Sequence, residues 1–315
     1  MCTQASVYIA IEIRIVMRHI IFSIVLLYTS INHCSAQSYR SSKVGINFYL
    51  GTSNLMGDLG GSDFIGNRGL WDYDIRANRI AGGFGATLYM GGSFSIGVNT
   101  LFTRLAGKDE YSKQDYQMQR NLSVRTDLIE ADLLVEYRPF SRSKDFNRFY
   151  IYSGVGGMYY QPKAKLNDDW YKLRTLGTEG QYLDDGPGPY KEIDIVIPYG
   201  LGYKFRLGKS TSIILDLGFR KTFTDYIDDV STVYADPVAL VAENGNESAV
   251  LADRSSPLNS IGSPRGDSDK KDSYHVLSLK FEYILGGRSG DGCNYNRNPP
   301  KSRSTRINQR RMFTK

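Results

Sequence analysis

The links between the alternating apolar-polar stretches of this chain come in two lengths, and the two lengths take turns. Period-two alternation bounded by turn residues runs over Val44–Gly51, Ala81–Met90, Phe94–Thr103, a fourth stretch ending at Tyr137, Phe149–Tyr160, Ile193–Leu207, Ser212–Thr222 and Tyr274–Leu285. Residues 52–80, 106–121, 161–192 and 223–273 make long polar links, while 91–93, 138–148 and 208–211 make short ones. A soluble sandwich has no reason to sort its connections this way. A chain stitched up and down through a bilayer does, because one end of its hairpins faces the periplasm and the other the exterior. The expected fold is all-β: an eight-stranded antiparallel transmembrane β-barrel with short periplasmic turns and long extracellular loops.

Which face of each strand meets lipid follows from the side chains. Ile46, Phe48 and Leu50 share one face of the first stretch, opposite Gly45, Asn47 and Tyr49. In the fourth, Glu130, Asp132 and Glu136 alternate with Ile129, Ala131, Leu133, Val135 and Tyr137. Carboxylates cannot face acyl chains, where one charge costs on the order of 2 to 4 kcal/mol at the midplane, so they point into a polar lumen. Lys204 and Arg206, Arg220 in phase with Asp216, and Lys280 with Glu282 are the other expected members of a lumen charge network. A barrel this small is filled by its own side chains. Tyr89, Tyr137, Tyr159, Tyr160, Tyr199, Tyr203 and Tyr283 lie on or at the ends of strands, and are expected at the membrane-water boundary.

The termini read differently. Met17, Arg18 and His19 precede an apolar run from Ile20 to Leu27, and a small residue, Ala36, stands at the cleavage point, which is the pattern of a secretory signal peptide over 17–36. Residues 1–16 read as an upstream extension of the gene. Asn32 and His33 before Cys34 are a poor match to a lipidation signal. Cleavage after Ala36 leaves Cys293 as the sole thiol, so no intramolecular disulfide and no cysteine metal site is expected. No stretch of the mature chain reaches the ~20 consecutive apolar residues of a membrane helix. Beyond the barrel, expected over 37–285, residues 286–315 hold eight basic residues against Asp291 alone, within a chain of net charge +6. That segment reads as a disordered periplasmic tail, either an arm whose Arg303, Arg306, Arg310 and Arg311 would dock on an acidic partner or merely a soluble end, since an exported protein rarely meets nucleic acid.

Candidate chemistry is sparse. His275, with Ser273 beside it, is the one histidine after the leader and would serve a lipid-modifying hydrolase at the outer rim. No Gly-x-Ser-x-Gly elbow accompanies it. The loop acids Asp168, Asp169, Asp184, Asp185, Asp225, Asp228 and Asp229 lack the spacing of a calcium loop and read as solvated charge. Neither a catalytic residue, a cofactor nor a metal is expected. A narrow pore or binding barrel is the third reading.

Four segments carry a family likeness: YLGTSNLMGDLGG from Tyr49, RNLSVRTDLIEADLLVEY from Arg120, IPYGLGYKFRL from Ile197 and, most specific, FRKTFTDYIDDVSTVY from Phe219. Together they resemble the PorG-like outer-membrane barrel family of Bacteroidetes over most of 43–285. The resemblance implies a barrel in the outer membrane, and with the strand pattern the expectation is a monomeric, non-enzymatic one surrounded by its lipids. It also implies a structural role in type IX protein secretion, anchoring a periplasmic ring of PorK-like and PorN-like proteins. The tail after Leu285 departs from barrels that end at their last aromatic, leaving Phe281 and Tyr283 as an internal assembly signal.

Overall fold

The computed structural model of the protein describes residues 43–59, 75–90, 93–112, 114–140 and 148–285. The expected leader and the basic tail lie outside the described residues. Among the described residues nine strands form: β1 (Lys43–Met56), β2 (Arg79–Met90), β3 (Phe94–Lys108), β4 (Ser123–Tyr137), β5 (Phe149–Leu166), β6 (Asp169–Lys172), β7 (Ile193–Arg206), β8 (Thr211–Thr222) and β9 (Ser273–Leu285). Eight of them close a barrel. The hydrogen-bonded order runs β4-β3-β2-β1-β9-β8-β7-β5, with β4 pairing β5 to seal the ring and every neighbour antiparallel. The ninth, β6, is a short hairpin partner of the outer end of β5.

The outward residues of all eight barrel strands are predominantly apolar and exposed. Phe48 and Leu50, Phe84, Val98 and Phe102, Ile129 and Leu133, Val155, Ile195, Leu215 and Leu279 form one continuous band. Contiguous apolar area on that scale is not left in water. Around a closed barrel it is the surface that meets acyl chains. The facing deduced for the first strand therefore holds, with Ile46 outward and Tyr49 only 5% exposed inside.

Several strands are longer than the alternation indicated. β3 continues to Lys108 and β5 to Leu166, whereas a tilted strand needs about 9–11 residues to cross. Above the bilayer the wall is covered from both sides at the end of β1 and around Leu105 of β3, whereas the outer end of β5 keeps its alternation, with Pro162 and Ala164 buried and Lys165 exposed. Leu105, Ala106 and, at the end of β1, Ser53 to Met56 are all buried in succession. With both faces covered, a period-two pattern has nothing to record.

The long links are structured rather than loose. They contribute α1 (Asp115–Arg120), the single turn α2 (Leu173–Leu176), α3 (Pro237–Asn244) and α4 (Asn246–Ala252), besides β6. Asp236 caps α3 by accepting from the Val238 amide, and Pro237 supplies the first helical position, where its missing N–H costs nothing. Together these segments form a cap over one mouth of the barrel. Long connections mark the extracellular end of such barrels, so the cap is the outward face and the short turns are periplasmic.

Candidate functional site: a plugged lumen beneath a folded cap

Tyrosine, rather than charge alone, fills the bore. Tyr150 and Tyr152 of β5 point inward opposite Gly202 and Gly200 of β7, their register partners. A Cβ on Gly202 would lie 2.3 Å from the Tyr150 ring, and one on Gly218 would lie 2.2 Å from the Tyr152 hydroxyl. The YGLGY spacing of β7 is thus the imprint of two phenol rings from the neighbouring strand. Both hydroxyls donate to Asp216, at 2.7 and 3.0 Å, and Lys280 meets the same carboxylate at 3.1 Å. Tyr49 reaches over Gly83 of β2 to donate to the Thr100 carbonyl of β3 at 2.5 Å.

The charges pair in tiers. Nearest the cap, Arg220 meets Glu130 at 3.1 Å, and Tyr274 donates to the same carboxylate. In the middle stands the Asp216 tier. Toward the periplasm, Lys204 meets Glu282 at 2.7 Å with Tyr89 bonded to both, and Arg138 meets Glu136 at 3.8 Å while Ser95 donates to that acid. Six expected members, Glu130, Glu136, Lys204, Arg220, Lys280 and Glu282, are therefore in ion pairs, with Asp216 and Arg138 added.

Two members differ from expectation. Asp132 is inward and buried but forms no ion pair among the described residues. Arg206 is exposed at the periplasmic end of β7, outside the network, because the strand ends there and its side chain reaches water. The tyrosine belt also needs correction. Tyr137, Tyr159, Tyr199 and Tyr283 are outward, whereas Tyr160 is 1% exposed and Tyr89 turns inward to Glu282. A phenol with a carboxylate or carbonyl partner is as well placed inside as at the interface.

The cap closes the outer mouth with the Thr224–Ser231 run that dominated the family likeness. Ile227 is fully buried among Leu101, Leu128, Met158 and Val276, and its carbonyl accepts from the Thr126 hydroxyl of β4 at 2.5 Å. Two buried arginines tie the loops together. Arg120 grips Asp109 through two bonds of 2.7 Å and donates to the carbonyls of Asp58 and Arg265. Arg265 bonds Glu179 at 2.9 Å and also reaches the carbonyls of Ala252 and Asp229. Glu179 in turn accepts the amides of Ser231 and Thr232.

Not all the loop acids are solvated. Asp168, Asp169, Asp184 and Asp185 are exposed, but Asp225, Asp228 and Asp229 are at most 2% exposed. Asp228 accepts the amides of Asp58, Leu59 and Val230, and Asp272 accepts that of Ile227, so these carboxylates serve as anchors for backbone that has no sheet to pair with. Gly57 is obligatory beside them: a Cβ there would stand 2.5 Å from Asp272 Oδ1 and 2.6 Å from Asp228 Oδ2. Among the described residues no three acidic, histidine or cysteine side chains are placed to hold a metal ion.

Gathering Asp58, Asp225, Asp228 and Asp272 in one buried cluster makes the cap sensitive to pH. Burial, reinforced by mutual repulsion, pushes Asp58 up to about 6 and Asp225 up to about 7, and holds Asp228 and Asp272 well above the ordinary carboxylate range. Both oxygens of Asp225 are buried without a hydrogen-bond partner. The folded cap binds protons more tightly than the unfolded chain, so this contribution to stability is present in acid and lost as pH rises through about 6 to 7. Hydrogen exchange of 225–232, corrected for intrinsic rate, is expected to be slower at pH 5 than at pH 8. Equal protection would show that the cluster does not titrate.

His275 sits on the outer wall of β9, buried, with Nδ1 3.3 Å from the Met56 thioether and its ring 6.2 Å from that of Phe219. Neither contact orients a general base toward a nucleophile.

No family model matches the chain, and no curated protein sequence matches it. Among solved structures it is similar to Ail of Yersinia pestis (8% identity, TM-score 0.37, covering 78% of this chain and 99% of that one). It is also similar to the neisserial surface protein NspA (8%, 0.34, 76% and 96%) and to a major outer membrane protein of Thermus thermophilus (12%, 0.35, 78% and 100%). The superpositions are loose. The outer-membrane location stands on the molecule's own geometry, a closed antiparallel ring with a lipid-facing exterior and a polar, filled interior.

Proposed function

We propose that the protein is a non-enzymatic scaffold of the outer membrane, a docking component of protein secretion that anchors a periplasmic ring, as the resemblance to PorG-like barrels implies. The observation that supports this reading best is the filled bore. Three tiers of paired charge and inward tyrosines occupy the lumen from Glu130 to Glu282, and Ile227 stops its outer mouth, which leaves a wall to hold on to rather than a conduit. A pore would need the opposite.

Topology favours a periplasmic partner. Val44 pairs with Leu285, so the chain enters β1 and leaves β9 at the short-turn end. Leu285 thus lies on the side where PorK-like and PorN-like ring proteins would stand, and the docking role is assigned to Arg303, Arg306, Arg310 and Arg311 further along the sequence. Deleting residues 287–315 and cross-linking in the native envelope is expected to abolish recovery of ring proteins while the barrel still inserts. Unchanged recovery would remove the docking arm.

A further inference from the structure

Just above the lipid band, the outer wall carries a cleft of about 510 Å³ walled by cations. Arg79, Arg104, Lys108, Arg125, Lys165 and Arg254 converge on it from β2, β3, β4, β5 and the segment after α4. Its height is fixed by register. Phe102, Ile129 and Tyr159 are the last exposed apolar residues of their strands, and Ile129 pairs with both of the others. Two residues further out, about 7 Å along each strand, stand Arg104 and Asp127, then Arg125 opposite Lys163. That is the level at which acyl chains give way to headgroups.

The charge there is not balanced from within. Asp127 is shared by Arg104 at 2.8 Å, Lys163 at 2.8 Å and Arg125 at 3.6 Å. Lys165 has Asp168, and Lys108 has Glu110 only at 4.0 Å. Arg79 and Arg254 bond carbonyls and have no carboxylate among the described residues. Arg254 is half-buried, and burial alone lowers its affinity for its proton. Arg125 Nε is buried without a partner. Beside these cations Trp170, 47% exposed, lines the cleft with the Arg125 guanidinium 4.6 Å from the centre of its ring. An aromatic face next to forked cationic donors suits a sugar ring that carries phosphate.

We propose that this cleft binds the phosphorylated saccharide headgroup of the glycolipid in the surrounding outer leaflet. Guanidinium groups of Arg125 and Arg254 take the phosphate, Arg79 and Lys108 supply further charge, and Trp170 packs on the sugar. The height of the cleft on the lipid-facing wall selects a leaflet lipid over a ligand arriving from solution. The inference rests on the membrane orientation above and not on the secretion role, so the two can fail separately.

The test uses the purified full chain in detergent micelles, titrated with lipid A and with the same lipid A after phosphatase treatment, followed by Trp fluorescence and native mass spectrometry. The phosphorylated lipid is expected to bind at least tenfold more tightly, and raising salt is expected to erase most of that difference. R125Q/R254Q, shown to be folded by heat-modifiable migration, is expected to lose the preference, whereas K209Q at the periplasmic turn is expected to keep it. Equal binding of treated lipid by the native chain, or an unaltered preference in the double variant, would overturn the proposal. Soluble glucosamine 6-phosphate binding as tightly as lipid A would also overturn it, since the site would then serve a free phosphosugar.

Discussion

Glu130→Ala is expected to destabilise the barrel by about 3–5 kcal/mol, the usual cost of leaving one member of a buried ion pair behind. Arg220 lies 3.1 Å away with its side chain 8% exposed, and Tyr274 donates to the same carboxylate. Both would lose their acceptor in a place water does not reach. Removing the two charges together, as E130L/R220M, is expected to restore most of the loss, because an apolar pair carries no desolvation penalty. Heat-modifiable migration across a urea series, in detergent, reads both variants. By contrast Arg104 and Asp127, with side chains 47% and 36% exposed, form a pair of the kind that contributes about 0–1 kcal/mol. If Glu130→Ala melts with the native chain, the inner tier is not holding the strands together.

The second large effect belongs to the cap. Arg265→Ala is expected to remove about 3–5 kcal/mol from the local stability of the cap while the barrel stays folded. The variant leaves the buried Glu179 carboxylate without its cation, with the Ser231 and Thr232 donors left to hold it, and frees the carbonyls of Ala252 and Asp229. Protease cleavage within 173–190 and 232–265 should rise steeply, with unaltered heat-modifiable migration of the remaining core. Simultaneous loss of both would mean that cap and barrel form one cooperative unit.

How far the chain could be read in advance depended on where water and lipid impose a rule. Within the bilayer the rule is strict, and the alternation of Glu130, Asp132 and Glu136 with Ile129, Leu133 and Val135 revealed the inward face directly. What alternation could not show was the pairing. Lys204 lies opposite Ile214 on its neighbour, yet its partner is Glu282 on β9, one strand further round the ring. Above the bilayer the rule lapses. Asp225, Asp228 and Asp229 have the composition of a wet loop, and only the three-dimensional meeting of Asp58, Asp272 and the Ile227 plug buries them. One local signal in these loops is legible without the fold: Asp236-Pro237 before an apolar run marks the start of α3.

The cap is assembled from pieces that are remote in sequence. Arg120 bonds the Arg265 carbonyl, Asp58 accepts from the Asp267 amide 209 positions away, and Ser248 from α4 bonds Leu176. The surface this protein shows to the world is therefore a discontinuous epitope. Antibodies raised against peptides copied from single loops will miss much of it, and immunogens intended to reproduce it must keep the whole ring beneath.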